Sequence, residues 1–286
     1  LFLVHFLPAG IRQPLETVLT MLSDDAFRQL LDFFDLSWSG YRKVRKGVKK
    51  RLHRHMQQLG CRNISEYLIV LEKDPKCRRL CAQLLTVSIS RFFRYRQLWD
   101  CLEKNLLPEM ATHFPQRLAV WSAGCASGEE AYSFRIVWER LKQSRSTVPD
   151  LYLLATDTNR DILARARLGI YRASSFREVS AECLAAHFTS PKRKKTYQIG
   201  AHLRPGIIWM QHDLLAQPPQ TLFNIIFLRN NLLTYYRQSL QQSALDKIVK
   251  QLSRPGLLIV GTKERLPADT GEFVRHPGAA GVFWKR

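Results

Sequence analysis

Long apolar runs are missing from this 286-residue chain. Its apolar opening, residues 1–7, falls far short of the roughly 20 residues that a membrane-spanning helix needs, so direct membrane insertion is not expected. The opening also lacks a basic leader and a small-residue cleavage site, which argues against a secretory signal and for a cytoplasmic chain. Cysteine is sparse and poorly placed for metal or redox work. There are six, at positions 61, 77, 81, 101, 125 and 183, with no C-x-x-C pair and no clustering with histidine. No metal is expected, and the thiols should be reduced. Cys77 and Cys81 share a helical face, as two small buried residues would. Internal repeats, low-complexity tracts and long flexible linkers are also absent. Acidic residues are scarce, with 24 Asp and Glu against 44 Lys and Arg for a net charge of +20. That imbalance steers a protein toward acidic partners at low ionic strength. Charge alone leaves nucleic acid, anionic lipid, an acidic protein surface and a merely solvated basic face all open.

The rest of the composition is globular. With 45% hydrophobic and 24% charged residues, a mainly disordered chain is excluded. The length suits one large α/β domain and a small helical one. Residues 1–20 read as an N-terminal extension. Ser23, Asp24 and Asp25 supply an N-cap ahead of Phe27, Leu30, Leu31 and Phe34, spaced for one helical face. A second helix is predicted from Tyr41 to Met56, where Val44, Val48, Leu52 and Met56 recur every four residues. Further helical pattern through 67–71 and 79–85 completes a helical N-terminal domain over 21–86, followed by a linker and connecting helix over 87–117. Beyond it the pattern changes. Short apolar runs at 118–121, 151–155, 207–210, 223–228 and 256–261, separated by helical stretches, predict a parallel sheet in an alternating β/α domain over 118–286. An insert at about 170–205 carries the basic run Lys192 to Lys195 and a short strand at 196–199. It is a candidate partner surface, or a solvated charged loop.

The first predicted strand ends in a run of small residues, Ser122-Ala123-Gly124-Cys125-Ala126-Ser127-Gly128, followed by Glu129 and Glu130 at the start of an amphipathic helix. Small residues there let a backbone approach a ligand, and the amides that open a helix favour a carboxylate. The spacing is not that of the dinucleotide fingerprint G-x-G-x-x-G, and two acids at the helix start would repel a pyrophosphate, so nicotinamide and flavin cofactors are not expected. Asp157 ends the second strand, where an acid can accept hydrogen bonds from ribose hydroxyls or simply cap the next helix.

Taken in order, Ser90-Arg91-Phe92-Phe93-Arg94, the Trp121-Ser122-Ala123 stretch with Gly128-Glu129-Glu130 and Tyr132-Ser133, Ala155-Thr156-Asp157, Leu168-Gly169-Ile170-Tyr171, Asp213-Leu214-Leu215 and Phe227-Leu228-Arg229-Asn230 resemble the successive motifs of the CheR-type chemotaxis-receptor methyltransferases. The resemblance spans roughly residues 21 to 266. It implies a Rossmann-like α/β methyltransferase sheet with a small all-α N-terminal domain and an inserted β-subdomain. The implied cofactor is S-adenosyl-L-methionine, whose methionine carboxylate suits the helix start, with S-adenosyl-L-homocysteine as product. The implied activity is methyl transfer to glutamate side chains of a receptor's acidic helical cytoplasmic domain, by a chain expected to be a monomer.

The same resemblance assigns residues. Gly124 lies in the cofactor turn, Glu129 holds the methionine amino group, Asp157 the ribose, and Asp213 with Leu214 stands where the family has Asn-Leu beside adenine. Arg229 and Asn230 match the fourth-strand motif, with Asn231 where a valine is usual. Arg94 reaches the active site, and its planar fork can hold a carboxylate by two charge-assisted bonds. Ser88 and Ser90 replace the family's Asn and Thr near the cofactor. Thr234 stands where the family carries a tyrosine whose hydroxyl lies near the transferred methyl. Tyr235 follows, and a neighbouring residue on a helix is turned away by about 100°. Arg94, Thr234 and Tyr235 are therefore the candidate catalytic residues. Two other functions are carried alongside: a CheR-like cofactor-binding sensor or scaffold, and a nucleic-acid methyltransferase. The last is disfavoured, because Asn230-Asn231-Leu232-Leu233 lacks the proline pair of base amino methylation and Leu228 stands where a cytosine-methylating cysteine would be sought. Nucleic acid is accordingly not an expected partner.

One feature stands apart from the family. No Asp or Glu occurs between Ser37 and Ser65, while nine Lys and Arg fall between Arg42 and Arg62, so the second helix cannot neutralise itself by i, i+4 pairs. Arg45, Lys46, Lys49 and Lys50 are expected to form a docking face for an acidic helical partner.

Overall fold

The computed structural model describes residues 22–190, 195–267 and 271–286. The N-terminal extension and Lys192, Arg193 and Lys194 of the basic run lie outside the described residues. Five helices come first: α1 (Asp24–Phe33), α2 (Trp38–Tyr41), α3 (Arg45–Gln58), α4 (Ile64–Lys73) and α5 (Pro75–Leu85). Local chemistry sets their ends. Ser23 and Asn63 accept from the amides of Ala26 and Glu66, each satisfying a donor that the first helical turn leaves unpaired. Asp74 closes α4 and opens α5 by accepting from the Lys76 and Cys77 amides, and Pro75 sits at the first helical position, where a missing N–H costs nothing. The apolar faces meet on Phe27, Leu30, Leu52, Tyr67 and Leu71, all fully buried. Each such side chain contributes about 1.5–3 kcal/mol.

The predicted second helix is corrected at its start. Val44 keeps the four-residue spacing, yet residues 42–44 form a turn and α3 begins at Arg45. The cause is tertiary. A Cβ on Gly40 would lie 2.2 Å from the Thr234 carbonyl oxygen, so α2 lies directly on that distant segment and the chain must turn before continuing.

The linker then crosses to the sheet. Phe92 packs among Tyr171, Phe176 and Phe188, while Phe93 and Tyr95 adopt φ of +51° and +65°, a region that non-glycine residues seldom enter. Surrounding bonds hold them there. The Phe93 amide donates to Ser133 Oγ (3.0 Å), and the Trp99 indole and Arg229 guanidinium both donate to the Arg94 carbonyl. Helix α6 (Arg96–Cys101) runs through a π turn into α7 (Leu107–His113).

The remaining helices are α8 (Glu129–Ser144), α9 (Arg160–Leu168), α10 (Ala181–His187), α11 (Leu232–Tyr235) and α12 (Gln238–Lys250). The strands are β1 (Arg117–Ala123), β2 (Asp150–Asp157), β3 (Ile170–Arg172), β4 (Phe188–Thr189), β5 (Thr196–Ile199), β6 (Ile207–Gln211), β7 (Phe223–Leu228), β8 (Leu252–Val260), β9 (Phe273–Arg275) and β10 (Val282–Lys285). Seven form one sheet in the order β6-β2-β1-β7-β8-β10-β9, parallel through β8 and antiparallel beyond it. All five predicted apolar runs fall on its parallel strands. A separate sheet, β3-β5-β4, occupies the predicted insert, with β5 at the predicted 196–199. Because β1 has β2 on one side and β7 on the other, the chain winds outward in both directions and leaves a crevice at the strands' carboxyl ends.

Candidate active site

That crevice and the helical segment enclose a cavity of about 1330 Å³. Small-molecule pockets run from about 300 to 1,000 Å³, so there is room for a second reactant.

After β1, Gly124 lines the cavity with φ +79°, and a Cβ there would lie 2.3 Å from Asn231 Nδ2. The Asn231 amide donates to the Ala123 carbonyl (2.6 Å) and accepts from the Leu232 amide. Asn231, expected at the cofactor, also lines the cavity, and both ends of its amide fix the start of α11. Gly128 opens α8, as the sequence predicts, at φ +90°, and its missing side chain admits the Trp209 ring, 2.7 Å from where a Cβ would be.

Asp157 ends β2 almost buried, one oxygen accepting from Ala126 N and the other from Asn159 N, each at 3.0 Å. It is not the cap of the next helix, since Asn159 accepts from the first amides of α9. Burial raises its pKa, and the backbone amides oppose that rise only in part.

The paired acids divide their work. Glu129 is 3% exposed and sits behind the wall, accepting from the hydroxyls of Ser127 (2.8 Å) and Ser175 (3.3 Å), with Ser90 of the cavity lining nearby. Burial raises its pKa; the groups opposing the rise are hydroxyls and a backbone amide, with no cation among them. Glu130, which the sequence did not single out, lies on the wall. It accepts from Ser122 Oγ and forms an ion pair with Arg229 at 3.0 Å. Arg229, expected at the cofactor, lines the cavity with a nearly buried side chain that pairs with Glu130 and donates to the Arg94 carbonyl (2.9 Å) beside the Tyr95 ring. It shapes the wall by holding the linker.

Arg94 lines the cavity with Ser88 and Ser90, its Nη1 donating to the Ile89 carbonyl at 3.1 Å. Asp213, exposed, accepts from the Leu215 amide, and buried Leu214 lies beside it on the wall after β6. On α11, Thr234 donates its hydroxyl proton to Glu264, which also accepts from the Asn230 amide (2.9 Å) and the Gly261 amide (2.6 Å). As a proton donor Thr234 is already committed. Tyr235 was expected to turn away, yet it also lines the cavity, which wraps both sides of this single helical turn; its ring packs on Tyr41 at 5.0 Å. Burial raises its pKa, while Arg94 acts against the rise. Glu264 escaped notice as a site residue because its partners lie 30 and 34 positions away on another strand's loop; the only sequence signal was its place in the Gly261-Thr262-Lys263-Glu264 turn.

The docking face also changes. Lys49 is buried and donates to Asp24 at 2.8 Å, and Arg45 pairs with the same acid at 3.4 Å. The missing acid comes from α1 rather than from an i, i+4 neighbour. Lys46 and Lys50 remain exposed, together with Arg42, Lys43 and Arg54.

Among the described residues no cluster of His, Cys, Asp or Glu could hold a metal ion, and no helix is long and apolar enough to cross a membrane. Residues 88–281 match the family described as CheR methyltransferase, SAM binding domain. The chain is 36% identical over 208 residues to a chemotaxis protein methyltransferase of Listeria monocytogenes serovar 1/2a, covering 72% of this chain and 77% of that one. It is 28% identical over 229 residues to chemotaxis protein methyltransferase 2 of Vibrio cholerae serotype O1, covering 77% of each. The site fits S-adenosylmethionine: the Gly124 turn lets the backbone close on a ligand, and Asp157 stands on the cavity at the strand end where a ribose is held, while Glu129, expected at the methionine amino group, lies behind the wall. With the family matched over most of its length, this chain is a member of the CheR methyltransferases and an S-adenosylmethionine-dependent enzyme.

Proposed function

We propose that the chain methylates glutamate side chains in the acidic helical cytoplasmic part of a chemotaxis receptor, working in the cytoplasm, with residues 21–86 facing the receptor. The observation that supports this is the convergence of Arg94 and Tyr235 on the cavity that Asp157 and Ser90 also line. When bound, S-adenosylmethionine supplies a methyl group on a positively charged sulfur. A glutamate is already ionised near neutral pH, with a solution pKa of about 4.3, so the acceptor needs no general base. What the protein must do is position it and exclude water. Arg94 holds the acceptor carboxylate by its guanidinium, its backbone fixed by Trp99 and Arg229. Tyr235, kept protonated by burial, offers a hydrogen bond from the helical side. Ser88, Ser90, Asp157, Asp213 and Leu214 hold the cofactor.

The test is formation of a base-labile methyl ester on receptor-derived acidic helices. Arg94→Lys should lower the rate at least tenfold while leaving S-adenosylhomocysteine affinity within about twofold, because an ammonium cannot replace the two-pronged contact. A second reading has one observation in its favour: the Thr234 hydroxyl is committed to Glu264. If the chain binds S-adenosylhomocysteine but esterifies no acidic helix, a cofactor-binding sensor or scaffold replaces the enzyme reading.

A further inference from the structure

The cavity adjoins a second cleft at residues 263–265. Lys263, Glu264 and Arg265 line both, and the cleft, of about 580 Å³, is floored by Leu266, Phe273 and Phe283 and flanked by Arg275. Lys263, Arg265 and Arg275 are exposed, and the three floor residues are half-buried. The acid on the shared wall, Glu264, has one oxygen taken by Thr234 and the other by two backbone amides. Glu272, between the floor and Arg275 in sequence, pairs instead with Arg254 and Lys285. Among the described residues, the cleft therefore presents positive charge over a partly apolar floor. Its complement is a chain segment bearing both carboxylates and apolar side chains.

The position of the cleft selects the ligand. It joins the main cavity at Glu264, the residue that holds Thr234 and the backbone of Asn230, so a polypeptide delivering one glutamate to Arg94 must lay its neighbouring residues across this junction. Arg42, Lys43 and Arg91 line the cavity from the other side, giving the entering segment two basic jaws. We propose that the second cleft is the subsite for the residues flanking the methylated glutamate, selecting acidic and apolar neighbours. This rests on the reading of a glutamate-bearing polypeptide as acceptor.

The experiment pairs Arg265→Glu with Arg275→Glu and uses two synthetic helical peptides, each with one central glutamate, flanked either by Glu and Leu or by Gln and Ser. Binding to the protein loaded with S-adenosylhomocysteine, and ester formation with S-adenosylmethionine, are measured at low and high salt. The reversal should weaken binding of the acid-flanked peptide at least tenfold at low salt, with a smaller defect at high salt. The neutral-flanked peptide should be little affected, KM should rise with kcat held, and S-adenosylhomocysteine affinity should stay the same. The milder pair Arg265→Gln and Arg275→Gln should fall between, which guards against misfolding of the reversed protein. If wild type esterifies the acid-flanked peptide and both variants match it, the cleft assignment is wrong while the glutamate reading stands. Equal losses on both peptides would also overturn the assignment. If neither peptide is bound or esterified by wild type, both readings fall. An oligonucleotide that binds wild type more tightly than either peptide, and is lost in the reversed protein, overturns the peptide assignment in favour of nucleic acid.

Discussion

Asp157 carries two obligations, and a substitution should separate them. Its oxygens receive the amides of Ala126 and Asn159, so Asp157→Ala would disturb the turn after β1 as well as any ribose contact. Asp157→Asn keeps an acceptor but loses the charge and one acceptor site. It is expected to weaken S-adenosylhomocysteine binding by about 1–3 kcal/mol, as when a buried hydrogen-bonding group is left unsatisfied, and to lower unfolding stability as well, because its NH2 faces one of the two backbone amides that the carboxylate accepts from. Calorimetric titration and urea melts read the two effects separately; undiminished affinity would remove Asp157 from the ribose role. The position of this acid was legible because a strand end followed by an acid is a local pattern. The distinct settings of Glu129 and Glu130 were not, since Arg229 and Ser175 reach them from 99 and 46 residues away. Nor could sequence show that Asn231 and Gly124 serve each other, because their contact joins the ends of two strands.

Among the elements, α11 is where the two parts of the molecule touch most intimately. The Ser37 amide donates to the Tyr235 carbonyl (2.7 Å), the Arg237 amide to the Asp35 carbonyl (3.0 Å), and Leu36 forms a bridge with Tyr236. Gly40 lies against the Thr234 carbonyl from the same side. Gly40→Ala must push α11 aside. Overpacking of this kind costs about 1–3 kcal/mol, and because α11 carries Tyr235, ester formation should fall by more than S-adenosylhomocysteine affinity does. Stopped assays alongside titration decide this, and a variant with wild-type turnover would show that α11 tolerates the shift. The parallel strands were readable because each is a short apolar run, buried on both faces in β1 and β7 and half-buried at the edge in β6. The hairpin β9 and β10 was not, being short and of mixed polarity, and the turn at 42–44 was hidden because Val44 continues the apolar spacing across it.

At the scale of the whole molecule, the excess of positive charge is partly used to hold the helical segment together. Asp24 has its pKa lowered, chiefly by the hydrogen bond from Lys49; burial opposes this, and the charges of Lys49 and Arg45 add to it. A carboxyl depressed in the folded state contributes stability above its unfolded value, 3.8, and loses it as pH falls through the folded value. Lys49→Met should therefore be less stable than wild type at about pH 5, with the difference shrinking toward about pH 3 as Asp24 becomes protonated in both. Urea midpoints across that range test it, and a gap that does not narrow would assign the loss to packing instead. The total charge could be read from composition, but its division between structure and surface could not. That division depends on α1 lying beside α3, and it leaves Lys46 and Lys50, with Arg42, Lys43 and Arg54, as the face available to an acidic partner.

Gly40 touches residue 234 through its main-chain oxygen and not through its side chain. The contact with α2 is consequently indifferent to the side chain at position 234, whereas the bond from its hydroxyl to Glu264 is not. Replacing the threonine leaves the join to α2 standing and frees one oxygen of Glu264. Gly40 itself has no such freedom. Variation among descendants of this chain should accumulate at position 234 long before it is tolerated at position 40.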